Sequence, residues 1–146
     1  MSLVKYNEVK HKFAPRKDTC MAACIAMATG RDINELMQEL EWIGVGFPMM
    51  PIDFCAALVR NNVLPVKIDG ILKAGIEPNT LHIVVTIVNG SLHSSVLVMD
   101  WDIMKTRVYD PNDMEEVQYP FNEENPTLPF TIVSAIALYD CSIGRI

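Results

Sequence analysis

Four cysteines and three histidines are few enough for each to be weighed for chemistry. Cys20 stands in KDTCMAACIAMATG, Lys17 to Gly30, where a polar approach runs abruptly into small apolar residues. Two readings fit it. Either it is the first buried residue of a core helix, or it is a thiol on the helix N-terminus. There, unpaired N–H groups and the helix dipole favour a thiolate and pull a cysteine pKa below its free value of about 8.5. Cys24, one turn further on, belongs to packing beside Ala23 and Met27. Among the histidines, His11 lies in a lysine-rich approach and is expected to be solvated. His82 opens an apolar run and is expected to be a structural histidine with its hydrogen bonds satisfied. The strand that carries His93 can be placed. A symmetric hairpin about Trp101-Asp102 sets His93 directly across from Asp110, with Cβ atoms roughly 5 Å apart. That is within reach of an imidazole–carboxylate hydrogen bond, and a one-residue slip would turn one partner to the other face. Asp110 ends a strand in VYDPND, and Asp-Pro signals a turn. Taken alone it reads as a turn aspartate capping its own backbone. Cysteine, histidine and aspartate together supply the nucleophile, base and orienter that acyl chemistry needs.

These residues must be held by elements, and the pattern places them. A first helix is expected over Thr19–Thr29, with Asp18 and Thr19 as N-cap candidates and Gly30 as its stop. A second is expected over about Ile33–Trp42, capped by Asp32, with Leu36, Leu40 and Ile43 as its apolar stripe. Gly44, Gly46, Pro48 and Pro51 then break the chain. A third helix is expected near Ile52–Asn61, with Phe54, Cys55, Leu58 and Val59 on one face. From Val63 the pattern turns to β. LHIVVTIV (Leu81–Val88) and SLHSSVLVMD (Ser91–Asp100) flank Asn89-Gly90, a two-residue hairpin signal. Met104–Pro111 and Thr131–Asp140 read as further strands, and the acidic piece Pro120–Pro129 as a surface loop. Helices first and an antiparallel sheet afterwards predict an α+β fold.

The 146 residues, half of them apolar, predict a single domain over 1–146 with a proper core. A net charge of −6 argues against a nucleic-acid or anionic-membrane partner held by electrostatics. No apolar run approaches the roughly 18 residues of a membrane span. The opening MSLVKYNEVKHKF lacks the apolar core of a signal peptide, so a cytoplasmic protein with free thiols is expected. Cys20 and Cys24 form C-x3-C without a second pair, so neither a metal nor a cofactor is expected. Nothing in the residues sets the oligomeric state.

Thr19-Cys20-Met21-Ala22-Ala23-Cys24-Ile25-Ala26-Met27, followed by Gly30, resembles the cysteine box of C39-like peptidases within the papain-like fold. There the nucleophile opens a helix reading roughly C-G-x-A-C-L-A-M. His93-Ser94-Ser95-Val96-Leu97-Val98 and Val108-Tyr109-Asp110-Pro111 look like that family's histidine strand and aspartate-proline turn. The resemblance touches both halves of the chain. It implies N-terminal helices packed on a C-terminal antiparallel sheet, with Cys20 as nucleophile, His93 as general base and acid, and Asp110 as orienter. The implied activity is a cysteine peptidase acting on a peptide or isopeptide-like amide through an acyl-enzyme. Leader-peptide trimming is not carried over, because a chain of this length has no room for the transporter to which such domains are often fused. Two departures stand out. The usual oxyanion-donating Gln is absent from His11 to Thr19, and the usual Gly after the cysteine is Met21. Loss of one oxyanion donor costs roughly 100- to 1000-fold in rate. The Cys20 backbone N–H and a basic side chain, Lys17 before Arg16, are the candidates to replace it, with Lys17 expected at the mouth of the cleft. Two alternatives remain open: deamidation or acyl transfer at the same site, and a catalytically degenerate fold acting as a protein-binding module.

Overall fold

The helix that carries Cys20 is buried on every side. From Ala22 to Thr29 each residue of α1 (Cys20–Thr29) is buried, because alanines and other small side chains let neighbours approach all round, where an amphipathic helix would leave one face wet. The computed structural model describes residues 3–68, 76–113, 115–122, 125–126 and 128–141, and of residues 17, 67, 68, 88, 121, 122, 125 and 126 the backbone alone. A 3₁₀ turn over Lys17–Thr19 precedes α1, and the helix opens at Cys20 with Thr19, one of the two expected candidates, at the N-cap. Thr19 is its N-cap without a side-chain capping bond, its hydroxyl donating instead to the Arg16 carbonyl at 2.8 Å. Gly30 ends the helix in the left-handed conformation at φ +70°, as a glycine C-cap does.

α2 (Ile33–Trp42) begins where expected because Asp32 caps it, accepting from the Glu35 N–H at 3.0 Å. Leu36 and Leu40 are buried with Met37, whereas Ile43 falls on the C-cap and is 42% exposed, which shortens the expected stripe. α3 (Pro51–Arg60) opens on a proline at its first position, where no N–H is needed. It buries Phe54, Ala57 and Leu58; Val59, expected on that face, is exposed one step of about 100° further round.

Among the described residues seven strands follow: β1 (Val63–Ile68), β2 (Leu81–Val88), β3 (Ser91–Asp100), β4 (Lys105–Tyr109), β5 (Val117–Asn122), β6 (Asn125–Pro126) and β7 (Ile132–Asp140). Their spatial order is β1-β7-β2-β3-β4-β5-β6, with neighbours antiparallel. The fold is α+β, as expected. Asn89 and Gly90 turn the β2–β3 hairpin at φ +50° and +80°, the positive values that a two-residue turn of this kind requires. The β3–β4 turn departs from expectation. It takes four residues, Trp101 to Met104, so Val96 pairs with Tyr109 instead of Arg107. That is a shift of two positions, and with a side-chain period of two the faces are unchanged. Part of the expected loop Pro120–Pro129 is strand: β5 carries Pro120 opposite Lys105, and β6 closes a short hairpin on it. A proline fits there because the sheet is nearly at its edge.

Side chains alternate across this sheet. Leu81, Ile83, Val96, Val98 and Tyr109 join the cluster built by α1, α2 and α3. Val84, Leu97, Val108, Ile132 and Ala135 form a second cluster, against which Tyr119, Leu128 and Phe130 pack.

Candidate active site

α1 packs against β3, so its first residue, Cys20, meets the start of the strand, where His93 is the third residue. The His93 Nε2 lies 2.5 Å from Asp110 Oδ1. A carboxylate can only accept, so Nε2 carries a hydrogen and Nδ1 is the nitrogen left for another partner. Cys20 is that partner, and Ser94 also bonds to its sulfur through its backbone and its hydroxyl.

Asp110 is not directly across from His93. β4 ends at Tyr109, opposite Val96, and one further step sets Asp110 opposite Ser95, diagonal to His93. Diagonal neighbours on one face are within reach of long side chains. Sequence reasoning thus found the pair through a register wrong by an even number. The turn reading of Asp110 also holds, since the Asn112 N–H donates to the same Oδ1 at 2.8 Å and the Asp113 N–H to the Asp110 carbonyl at 3.0 Å.

The electrostatics form one circuit. Burial raises the Asp110 pKa, but the His93 hydrogen bond and the Asn112 N–H outweigh it and bring the carboxyl below its ordinary value. Asp110 first, then Cys20, push His93 up to about 9. Burial opposes ionisation of Cys20, yet the bonds from His93 and Ser94 prevail and lower its pKa. The two shifts run in the directions that favour a thiolate beside an imidazolium. Cys24, fully buried, has its thiol pushed well above the ordinary value and stays protonated, as a packing residue should.

The other candidates sort as follows. His82 is fully buried; its Nδ1 donates to the Thr80 carbonyl at 2.9 Å and its Nε2 accepts from the Glu77 N–H at 3.3 Å. It is a neutral structural histidine. His11 departs from expectation: its Nε2 donates to the Asp110 carbonyl at 2.8 Å. Arg16 is turned to Asp18 at 3.2 Å and lies over the Phe47 ring at 5.6 Å. The Lys17 side chain lies outside the described residues. Ser94 and His11 are the two neighbours of the site that sequence reasoning missed. Ser94 was within reach, being adjacent to His93, but a contact spanning 99 positions left no local signal for His11. No group of three or more His, Cys, Asp or Glu among the described residues is arranged to hold a metal ion.

No protein-family model matches the sequence, and no curated protein matches it at a significant level. Solved structures do match. A double glycine motif protease from an AMS/PCAT transporter, in complex with the leader peptide, superposes with a TM-score of 0.63 at 14% identity, over 96% of this chain and 99% of that one. The peptidase domain of Streptococcus ComA, a bi-functional ABC transporter involved in a quorum sensing pathway, gives 0.60 at 13% identity, over 91% and 99%. Coverage is nearly complete in both directions, so the likeness concerns the whole arrangement of helices and sheet. The chain has the papain-like α+β fold of C39 peptidase domains.

Proposed function

We propose that this protein is a thiol amide hydrolase of the papain-like kind, acting on a peptide or isopeptide-like amide. The observation that carries the reading is the His93 ring held by Asp110 at one nitrogen and facing Cys20 with the other. In the proposed cycle the Cys20 thiolate attacks the amide carbonyl carbon. His93 gives its Nδ1 proton to the departing amine as the C–N bond breaks, leaving a thioester. Water then yields a proton to Nδ1 as its oxygen attacks the thioester; the acid departs and Cys20 leaves as thiolate. Asp110 keeps the Nε2 hydrogen throughout and stabilises the imidazolium. A peptide substrate is supported by the leader peptide bound to one structural neighbour. Four unpaired cysteines support a reducing compartment such as the cytoplasm, and no helix among the described residues is long and apolar enough to cross a membrane.

The oxyanion needs donors on the N-terminal side of α1, where backbone N–H groups point. We assign them to the Cys20 N–H and the Lys17 ammonium, a cation that would also lower the thiolate pKa. Lys17→Ala is expected to move Cys20 ionisation upward and to slow cleavage by roughly 100- to 1000-fold. An unchanged pH profile of Cys20 alkylation in that variant removes Lys17 from the site.

The test is iodoacetamide labelling near neutral pH, followed by mass spectrometry of a peptide library. Cys20 should label faster than Cys24, Cys55 and Cys141, and the advantage should vanish in His93→Ala. Cleavage should be absent in Cys20→Ala. Labelling of Cys20 no faster than Cys55 sinks the reading. One observation favours a second reading, a protein-binding module. Arg16 is turned to Asp18 and the Thr19 hydroxyl to a carbonyl, which takes both away from the oxyanion. Fast labelling with no cleavage of any peptide would point instead to deamidation or acyl transfer.

A further inference from the structure

The residues before α1 form a strap along the molecule. The Val4 N–H donates to the Ala28 carbonyl at 2.8 Å, near the far end of α1. The Tyr6 hydroxyl donates to Asp102 in the β3–β4 turn. His11 and the Ala14 N–H, which donates to the Pro111 carbonyl at 3.0 Å, then reach the Asp110–Pro111 turn from outside the sheet. The His11 ring itself is packed edge-to-face on Phe13, with centroids 5.7 Å apart. Since a carbonyl only accepts, Nε2 of His11 carries the hydrogen.

We propose that His11 is a positioning residue: by clamping the main-chain carbonyl of Asp110 it fixes the carboxylate against His93, and through it the imidazole that faces Cys20. The inference rests on the thiol-hydrolase reading for its consequence in catalysis, not for the clamp itself. Asp110 lies one residue beyond β4, past Val96 with Tyr109, the last pair of the β3–β4 register. The bonds from Asn112 and Asp113 are internal to the turn and move with it. Those from His11 and Ala14 tie the turn to another part of the chain. Misplacing a catalytic group by about 1 Å can cost about a hundredfold in rate, so such a tie has work to do. The titratable groups around it are few: His93 faces Asp110 and Cys20, Asp110 faces His93 and His11, and Cys24 nearby stays protonated.

The experiment uses the full chain with His11→Ala and His11→Gln, the glutamine amide placing a donor where Nε2 now stands. Ring signals of His93 are titrated by NMR, and Cys20 alkylation is followed beside them. In the wild type the His93 midpoint should lie at about 9. In His11→Ala it should fall by about one unit, with alkylation at neutral pH slowed roughly 3- to 10-fold. His11→Gln should restore both. A role in folding alone would lower stability and leave the His93 midpoint where it was. Should His11→Ala fail to fold, His11→Phe keeps the contact with Phe13 and lacks the donor. An unchanged midpoint in the folded donorless variant, or no rescue by glutamine, overturns the proposal. Slow Cys20 labelling in the wild type overturns the hydrolase reading instead, and the His93 titration still decides the clamp.

Discussion

Asp110 Oδ1 receives two donors, His93 Nε2–H and the Asn112 N–H, and its hydrogen bond to His93, ahead of the one from Cys20 and with its charge adding to both, pushes His93 up to about 9. Asp110→Asn removes that charge with little change of shape. The amide oxygen still accepts from Nε2 but no longer compensates an imidazolium. His93 should titrate closer to its ordinary value, Cys20 should need a higher pH to ionise, and amide cleavage should fall about 10³- to 10⁴-fold. Stability should follow the same pair. A raised histidine pKa stabilises the fold fully below the unfolded value of about 6.5, a contribution lost as pH climbs through about 9. A depressed carboxylate pKa stabilises above the unfolded value of about 3.9, a contribution lost as pH falls through the lower native value. The wild type's advantage over Asp110→Asn in urea should therefore peak between these limits and shrink toward both. An advantage undiminished at about pH 10 would show that the ion pair is not its source.

At the scale of elements, α1 sets where Cys20 stands, and its C-terminal end meets the strap. Gly30 adopts φ +70°, and a Cβ there would stand 3.2 Å from Val4 Cγ1. Gly30→Ala thus meets a backbone penalty of about 1–2 kcal/mol and pushes on the strap. The urea midpoint should fall with an unchanged slope, and no loss at all would mean that the helix end relaxes freely. What was legible in the sequence at this scale was local. Asp32 caps α2 by a bond three residues long, and Asn89-Gly90 makes its turn from its own backbone preferences, so both were readable. The four-residue β3–β4 turn has no comparable signal, and the register was therefore two positions off. The expected contact between His93 and Asp110 survived that error because the side-chain period of a strand is two. His11 had no such protection, because its partner comes from the other end of the chain.

At the scale of the whole molecule, the last of the described strands is an interior one. β7 lies between β1 and β2, pairing Asp140 with Val63 and Ala137 with His82. It also supplies both cores: Leu138 to the helix-side cluster, Ile132 and Ala135 to the opposite one. No local pattern announces such an insertion, which is why helices followed by strands could be read as a class but not as an order. The placement makes the fold depend on a late, non-local step, since β1 and β2 wait as open edges until β7 arrives. A chain ending at Thr131 should therefore lack a cooperative urea transition and be cut rapidly by protease. Leu138→Ala, which leaves the strand in place and opens a cavity, should cost about 2–5 kcal/mol and still fold, because domains of this size hold about 5–15 kcal/mol. If the shortened chain unfolds cooperatively and its Cys20 keeps the alkylation rate of the full chain, β7 is an addition to a sheet that stands without it.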